Sequence, residues 1–271
     1  MKSLPLPKIS ENLYKSKFKI KKSLGQNYIF DLNLTNKIVK KSMPFSKTII
    51  EIGSGPGALT RSILCNGGTN VFVIEKDEDS IKLLDPLKKS YPSELNIING
   101  DALNYPLWDL GTYPRQIIAN LPYNISTKVL IKLLQNINQF DKLTLMFQKE
   151  VASRLVAKPG QKFYGRLSVL IQLLTKTQVM FDIPKNAFIP KPKVTSSVVK
   201  IIPLKTNPYK FKFGNIEKIT QLTFSKRRKM LRTIFKNYGG IEMLKEINIS
   251  PNLRPENLTI EEYCRLANKV F

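Results

Sequence analysis

Histidine is absent from this sequence of 271 residues, and cysteine occurs only twice, as Cys65 and Cys264. The lack of histidine excludes a Ser-His-Asp triad, a Cys-His pair, His-ligated zinc and acid–base catalysis by an imidazole. Two cysteines cannot form a disulfide framework or a metal cluster. Both lie beside apolar neighbours, so we interpret them as buried thiols in a reducing, cytoplasmic setting. We therefore expect chemistry that needs neither histidine nor a metal.

Acidic residues are scarce, and long apolar runs are missing. The chain has 44 Lys and Arg against 20 Asp and Glu, a formal net charge of +24. A field of that sign attracts polyanions, of which nucleic acid is the commonest. No apolar run approaches the ~20 residues of a membrane span, and the Lys-rich N-terminus lacks the apolar centre of a secretory signal. We expect a nucleic-acid partner and no membrane.

Apolar and β-branched runs alternate with helical patterns through the first 200 residues. Strands are predicted at Thr48–Ile52, Val71–Glu75, Leu95–Asn99, Gln116–Asn120 and Lys142–Gln148. One charged helix is predicted from Asp77 to Lys89, and an antiparallel hairpin from Val179–Ile183 and Ser196–Ile202. This alternation is typical of an α/β fold whose largely parallel sheet carries helices on both faces.

The pattern also divides the chain. Residues 1–22 are predicted to be a basic N-terminal arm, residues 23–205 the α/β domain, and residues 206–271 a smaller, wholly helical domain. Pro203 and Pro208 mark the second boundary, after which the strands stop.

Four polar or glycine residues fall where successive predicted strands end: Gly53, Glu75, Asp101 and Asn120. In open parallel sheets, ligands bind outside the carboxyl ends of the strands. The run Glu51-Ile-Gly53-Ser-Gly55-Pro-Gly57 suits a tight turn with close ligand approach, and Glu75 could accept both hydroxyls of a ribose. These features indicate a nucleoside cofactor, either NAD or S-adenosylmethionine. Asp101 could accept a hydrogen bond from an adenine amine, which favours an adenosyl cofactor.

The segment Asn120-Leu121-Pro122-Tyr123 ends its strand in an unusual way. Pro122 fixes its own φ and keeps Leu121 extended, so the Asn120 amide and the Leu121 carbonyl point out of the sheet edge. If both oxygens accept hydrogen bonds from an adenine N6 amine, the nitrogen can pyramidalise and attack a methyl sulfonium while Tyr123 stacks on the base. Such positioning needs no histidine. A base within a helix would have to flip into this pocket, where Phe188 could cover its other face.

A dense basic run lies in the C-terminal part. Its cations, Lys226, Arg227, Arg228, Lys229 and Arg232, are predicted to form a helical face that binds RNA phosphates. Met230, Leu231, Ile234, Phe235 and Tyr238 are predicted to form the buried stripe of the same helix.

Nine short motifs, in this order, carry a resemblance to a known family. They are Leu24-Gly-Gln-Asn-Tyr28, Glu51-Ile-Gly-Ser-Gly-Pro-Gly57, Val73-Ile-Glu75, Gly100-Asp101-Ala102, Asn120-Leu-Pro-Tyr123, Gln148-Lys-Glu-Val-Ala152, Tyr164-Gly-Arg-Leu-Ser168, Phe188-x-Pro-x-Pro-Lys-Val194 and Phe224-x-x-Arg-Arg-Lys229. Over nearly its full length the chain resembles the small-subunit ribosomal RNA adenine N6,N6-dimethyltransferases. Tyr28 replaces the more usual Phe, and the N-terminal arm looks longer than typical.

The resemblance implies a Rossmann-like S-adenosylmethionine-dependent methyltransferase sheet with a small helical C-terminal domain. It implies the dimethylation of two adjacent adenosines near the 3′ end of small-subunit rRNA, by a monomer that acts on the small ribosomal subunit during its maturation. By position, the cofactor site would be lined by Asn27, Ile29, Gly53, Gly55, Glu75, Asp101 and Asn120. The target adenine would be held by Asn120, Leu121, Tyr123 and Phe188.

Three other functions stay open at this point. A sister group methylates large-subunit rRNA and confers macrolide resistance; it commonly has Ile in place of Leu121. A non-catalytic nucleic-acid-binding factor on the same fold is the second, and a NAD-dependent dehydrogenase is a distant third. The intact Asn120, Pro122 and Tyr123 argue against a loss of chemistry.

Overall fold

The structure, a computed structural model, describes residues 20, 21 and 24–271. The predicted basic arm, residues 1–22, lies outside the described residues except for Ile20 and Lys21. The strands are β1 Tyr28–Ile29, β2 Thr48–Ile52, β3 Val71–Glu75, β4 Leu95–Asn99, β5 Arg115–Ala119, β6 Lys142–Gln148, β7 Thr175–Ile183, β8 Phe188–Ile189 and β9 Ser196–Pro203. The α-helices are α1 Leu32–Ser42, α2 Ala58–Cys65, α3 Glu78–Lys82, α4 Asp85–Ser90, α5 Tyr123–Gln135, α6 Lys149–Val156, α7 Arg166–Leu174, α8 Phe213–Phe224, α9 Leu231–Ile234, α10 Gly240–Glu246 and α11 Ile260–Val270.

Seven strands form one sheet in the order β4-β3-β2-β5-β6-β9-β7. The first five are parallel to one another, and β9 runs antiparallel to β6. Every residue of β2 is buried, because a central strand of a parallel sheet is covered by helices on both faces. β1 and β8 pair antiparallel in a separate two-stranded sheet. The predicted Rossmann-like α/β fold is confirmed.

Several element boundaries differ from the predictions. The single helix predicted from Asp77 to Lys89 is two short helices, α3 and α4, with Pro86 in the first turn of α4. Proline in a helix interior removes a hydrogen bond and clashes with the preceding turn, so one continuous helix cannot form there. β7 begins at Thr175, four residues before the predicted Val179.

Two compact units divide the chain. Among the described residues, one unit contains those up to 152 and 178–203, and the other contains residues 153–177 and 204–271. The last of these division points lies next to the boundary predicted at 205/206, but the inclusion of residues 153–177 in the helical unit was not foreseen. These residues belong to the helical unit because α7 has a largely apolar face that packs on α8 and α11.

An aromatic cluster forms part of the core of the helical unit. The ring of Phe224 stacks on that of Tyr263 at 5.8 Å between centroids and meets Tyr164 edge-on at 6.3 Å. Tyr164 and Tyr263 are fully buried, and their hydroxyls donate to the carbonyls of Leu258 and Pro255. Such pairs contribute roughly 0.5–1.5 kcal/mol beyond the area that they bury.

The structure contradicts the predicted burial of one cysteine and the predicted helix of the basic run. Cys264 is buried as expected, whereas Cys65 is exposed at the C-terminal end of α2. The basic run does not lie on one helix, because residues 225–230 form a loop between α8 and α9. Leu231, Ile234 and Phe235 are buried, but Met230, at the end of the loop, and Tyr238, which follows the short helix α9, are exposed.

No helix in the described part of the chain is long and apolar enough to cross a membrane. Residues 20, 21 and 24–271 also contain no group of three His, Cys, Asp or Glu side chains that could hold a metal ion.

Candidate active site

The carboxyl ends of β2, β3, β4 and β5 meet along one edge of the sheet, where they border a cavity of about 300 Å³. Parallel strands all present their carboxyl ends on the same side, so residues far apart in sequence converge there. Seven of the predicted residues line this cavity: Asn27, Ile29, Gly53, Glu75, Asp101, Asn120 and Leu121.

Glu75, at the end of β3, is held by three backbone N–H groups. Gly55 donates to its Oε2 at 2.9 Å, and Lys76 and Asp77 both donate to its Oε1 at 2.9 Å. Burial raises the pKa of Glu75, and the three hydrogen bonds offset only part of that effect. The carboxylate is therefore fixed in place at the cavity wall.

Gly55 itself is not a lining residue, but its conformation determines where Glu75 sits. Its φ is +51°, a region that residues with a Cβ seldom adopt, and a Cβ at this position would lie 2.1 Å from Cε1 of Tyr28. Only glycine at position 55 lets the Tyr28 ring lie so close to the backbone while the Gly55 N–H donates to Glu75.

Asp101 follows β4 and carries an opposite charge close by. Its Oδ2 lies 2.9 Å from Nζ of Lys76, and its Oδ1 accepts from the Leu103 N–H at 2.9 Å. The hydrogen bond from Lys76 is the main reason that the pKa of Asp101 lies below its usual value. Lys132 holds the same loop, since its ammonium donates to the carbonyls of Ala102 and Leu103.

The Asn120 amide has a fixed orientation. Its Nδ2 donates to the carbonyl oxygen of Asn27 at 2.8 Å. A carbonyl oxygen can only accept, so the amide nitrogen must face Asn27 and Oδ1 is left as an acceptor. Asn27 is held in turn, because its own Nδ2 donates to the Gly25 carbonyl at 3.1 Å. The segment before β1 thus orients the strand end of β5.

Tyr123 and Phe188 are not among the residues that line the cavity. Each is close to one that does, since Tyr123 follows Leu121 by two positions and Phe188 pairs with Ile29. Tyr123 begins α5, and its hydroxyl is 2.5 Å from Oγ of Ser196. Phe188 is 2% exposed, pairs with Ile29 between β8 and β1, and belongs to the hydrophobic core. Their contact with a target base stays a prediction.

Glu51 lines the cavity and was not singled out by the sequence analysis. It is fully buried on β2, and its Oε2 has no hydrogen-bond partner among the described residues. Burial raises its pKa to about 8, and Thr60 offsets only part of the shift. Its position at the start of the glycine-rich motif, near the end of a predicted strand, is the sequence feature that could have identified it as a site residue.

A clasp formed by Lys21, Gln26 and Asp77 was also missed. Asp77 accepts from Nζ of Lys21 at 2.5 Å and from Nε2 of Gln26 at 3.0 Å, and the Lys21 N–H donates to Gln26 Oε1. Burial would raise the pKa of Asp77, but the hydrogen bonds from Lys21, Gln26 and Ser80 outweigh it and lower the pKa. The clasp fastens the segment that contains Asn27 beside the end of β3.

The predicted RNA-contact residues belong to the helical unit. Lys226, Arg228, Lys229 and Arg232 are exposed, as a phosphate-binding surface requires. Arg227 differs, because its Nε donates to Glu256 at 2.6 Å and its Nη2 to the Lys162 carbonyl at 2.8 Å. Its charge is therefore balanced within the protein.

The residues of the cavity suit an adenosyl cofactor that carries positive charge. Glu75 and Asp101 offer carboxylates to hydroxyl and amine donors. The buried Glu51 Oε2, without a partner among the described residues, offers one further oxygen to a polar group of a ligand.

Known proteins support the same fold and family. A family model described as ribosomal RNA adenine dimethylase matches residues 17–270. A relative from Sinorhizobium medicae, named ribosomal RNA small subunit methyltransferase A, is 43% identical over 267 residues, which cover 97% of this chain and 97% of the relative.

Solved structures of two methyltransferases share the fold of this chain. A dimethyladenosine transferase from Plasmodium falciparum superposes with a TM-score of 0.72 and 27% identity, over 86% of this chain and 94% of that one. The 23S rRNA methyltransferase ErmE superposes with a TM-score of 0.66 at 18% identity, over 90% of this chain and 99% of that one. The second likeness concerns the fold alone.

Proposed function

The chain belongs to the ribosomal RNA adenine dimethylase family, and from that premise we propose that it dimethylates N6 of two adjacent adenosines near the 3′ end of small-subunit rRNA. As a member of this family it is an rRNA adenine N6,N6-dimethyltransferase. The relatives named small subunit methyltransferase A favour the small subunit over the large one.

S-adenosylmethionine, when bound, supplies a methyl group on a sulfonium. Glu75 is held by three backbone N–H groups, so its remaining acceptor capacity can bind the ribose hydroxyls without reorganisation. Asp101 would accept a hydrogen bond from the adenine amine of the cofactor. Asn27, Ile29, Gly53 and Asn120 complete this part of the site, and Gly55 supports it through Glu75.

The observation that carries the proposal is the hydrogen bond from Asn120 to the Asn27 carbonyl. It leaves Oδ1 of Asn120 as an acceptor for the N6 amine of the target adenosine, next to the Leu121 carbonyl. With both N–H bonds engaged, the nitrogen lone pair leaves the ring plane. S-adenosylmethionine would supply the methyl group at each transfer, and the Asn120 and Leu121 oxygens would hold the amine while one N6 proton passes to solvent.

Tyr123 and Phe188 are assigned to the faces of the target base. The hydrogen bond between the Tyr123 hydroxyl and Ser196 fixes the Tyr123 ring. Because Phe188 is buried against Ile29, its contact with the base requires a small movement of β8.

The decisive experiment incubates the protein and labelled S-adenosylmethionine with purified small and large ribosomal subunits from cells that lack the modification. We expect dimethyladenosine at two adjacent positions of small-subunit rRNA, and no product with Asn120→Ala. Product on the large subunit alone would support the sister activity, whereas RNA binding without product would support a non-catalytic factor. The monomeric state and the cytoplasmic location stay predictions.

A further inference from the structure

The loop 158–163 of the helical unit has a backbone that is fastened at several points. The Gly160 N–H donates to the Glu256 carbonyl at 2.7 Å, and the Lys158 N–H donates to Oε1 of Gln161 at 2.9 Å. The next residue, Tyr164, is fully buried in the aromatic cluster, with its hydroxyl on the Leu258 carbonyl at 2.9 Å. The loop is therefore anchored in the core of its own unit.

The side chains of this anchored loop nevertheless point outward. Lys158 and Lys162 are exposed, and Phe163 keeps 38% of its surface accessible. Nζ of Lys162 lies 5.7 Å from the centroid of the Phe163 ring. An exposed aromatic ring with cations nearby in the same loop is an arrangement by which proteins bind single-stranded nucleic acid, because bases stack on the ring and phosphates pair with the cations.

The same loop is tied to the basic loop 225–230. Arg227 makes the connection, since one nitrogen donates to the Lys162 carbonyl and another to the Glu256 carboxylate. The two loops that Arg227 joins therefore carry the exposed cations Lys158, Lys162, Lys226, Arg228 and Lys229. Arg227 neutralises Glu256, the acidic group at the connection.

We propose that the loop 158–163 is a second RNA-contacting element, in which Phe163 stacks on an unpaired base while Lys158 and Lys162 contact the flanking phosphates. The identity of this RNA as ribosomal rests on the proposed function, but the stacking contact does not. RNA is favoured over a protein partner because every charged side chain displayed by the two joined loops is a cation.

The test is fluorescence anisotropy with a short labelled single-stranded RNA, at several salt concentrations. Phe163→Ala is expected to weaken binding about tenfold, as loss of one base–aromatic stack does. Phe163→Trp should retain the affinity, and Phe163→Leu should not, because leucine is apolar but lacks a π face.

The chain offers a matched control in the same unit. Phe271 is 48% exposed, and Nζ of Lys218 lies 5.7 Å from its ring centroid, the same separation as in the first pair. Phe271→Ala and Lys218→Ala should leave RNA affinity unchanged. Lys162→Ala should lower the salt slope of log K by about 0.7, the value for one phosphate contact on a single strand.

Wild-type affinity in Phe163→Ala, or full affinity in Phe163→Leu, would overturn the proposal. An equal loss in Phe271→Ala would overturn it as well, because the effect would then not be specific to the loop. Thermal unfolding and S-adenosylmethionine binding report whether each variant is folded. A wild-type protein that binds this RNA through Phe163 but does not methylate small subunits would refute the proposed function and leave the loop assignment intact.

Discussion

Glu51 makes the stability of this protein depend on pH in a way that one substitution should remove. The carboxyl is fully buried, and burial raises its pKa from an ordinary value of 4.5 to about 8. A carboxyl whose pKa is raised by folding stabilises the native state while both states are protonated. That contribution falls as pH rises from the unfolded pKa to the folded one, here between about pH 4.5 and 8.

The size of the stability loss follows from the slope of the unfolding free energy against pH. Within this window one additional proton is held by the folded state, so stability falls by about 1.4 kcal/mol for each pH unit. Between pH 5.5 and pH 7.5 the loss due to Glu51 is therefore about 3 kcal/mol. For a unit of this size, each kcal/mol shifts Tm by roughly 2–4 °C, so the expected change is about 6–12 °C.

The assay is differential scanning calorimetry without cofactor, at a series of pH values, on wild type and Glu51→Gln. Glutamine has nearly the same shape and does not titrate, so the Tm of the variant should fall less steeply with pH and exceed that of wild type at pH 7.5. Glu78→Gln, at an exposed position on α3, is the control and should follow wild type. A constant Tm difference between wild type and Glu51→Gln from pH 5.5 to 7.5 would refute the reasoning.

Two further substitutions separate the roles in the site. Glu75→Gln should weaken S-adenosylmethionine binding at least tenfold by calorimetry, since a charge-assisted hydrogen bond contributes roughly 1.5–3 kcal/mol, whereas Asn120→Ala should mainly lower turnover. Equal effects of both on affinity would contradict these assignments. Gly55→Ala should lower Tm by about 4 °C or more and weaken cofactor binding, because a Cβ would clash with Tyr28 and the positive φ costs ~1–2 kcal/mol. Unchanged Tm and affinity would show that Tyr28 can move aside at no cost.

Local sequence patterns predicted the sheet well. Strands β2, β3, β4 and β6 begin and end at the predicted residues, because stretches rich in apolar and β-branched residues mark the strands of a largely buried parallel sheet. The glycine-rich turn and the residues Glu75, Asp101 and Asn120 follow from the same pattern, since strand order and direction bring their ends together. The family could be identified from the motifs alone.

Periodicity failed where packing or a long-range contact decides the conformation. The basic residues 226–229 fit a helical pattern, but they form a loop. Its Arg227 side chain donates hydrogen bonds to the Lys162 carbonyl and to the Glu256 carboxylate, two groups that are far from it in the sequence. The helix α7 joins the helical unit because its apolar face packs on α8 and α11, a choice that its own sequence does not reveal.

The sequence by itself determined the alternation of strands and helices in the sheet domain, the positive charge, the lack of histidine and the residues at four strand ends. The tertiary structure decided how those residues are held. The Asn27 carbonyl orients the Asn120 amide across 93 positions of sequence, and three backbone N–H groups fix Glu75. Burial, not sequence, sets the pKa of Glu51. The physical reason is that hydrogen-bond direction and desolvation depend on neighbours in space, which a linear pattern of residue types does not contain.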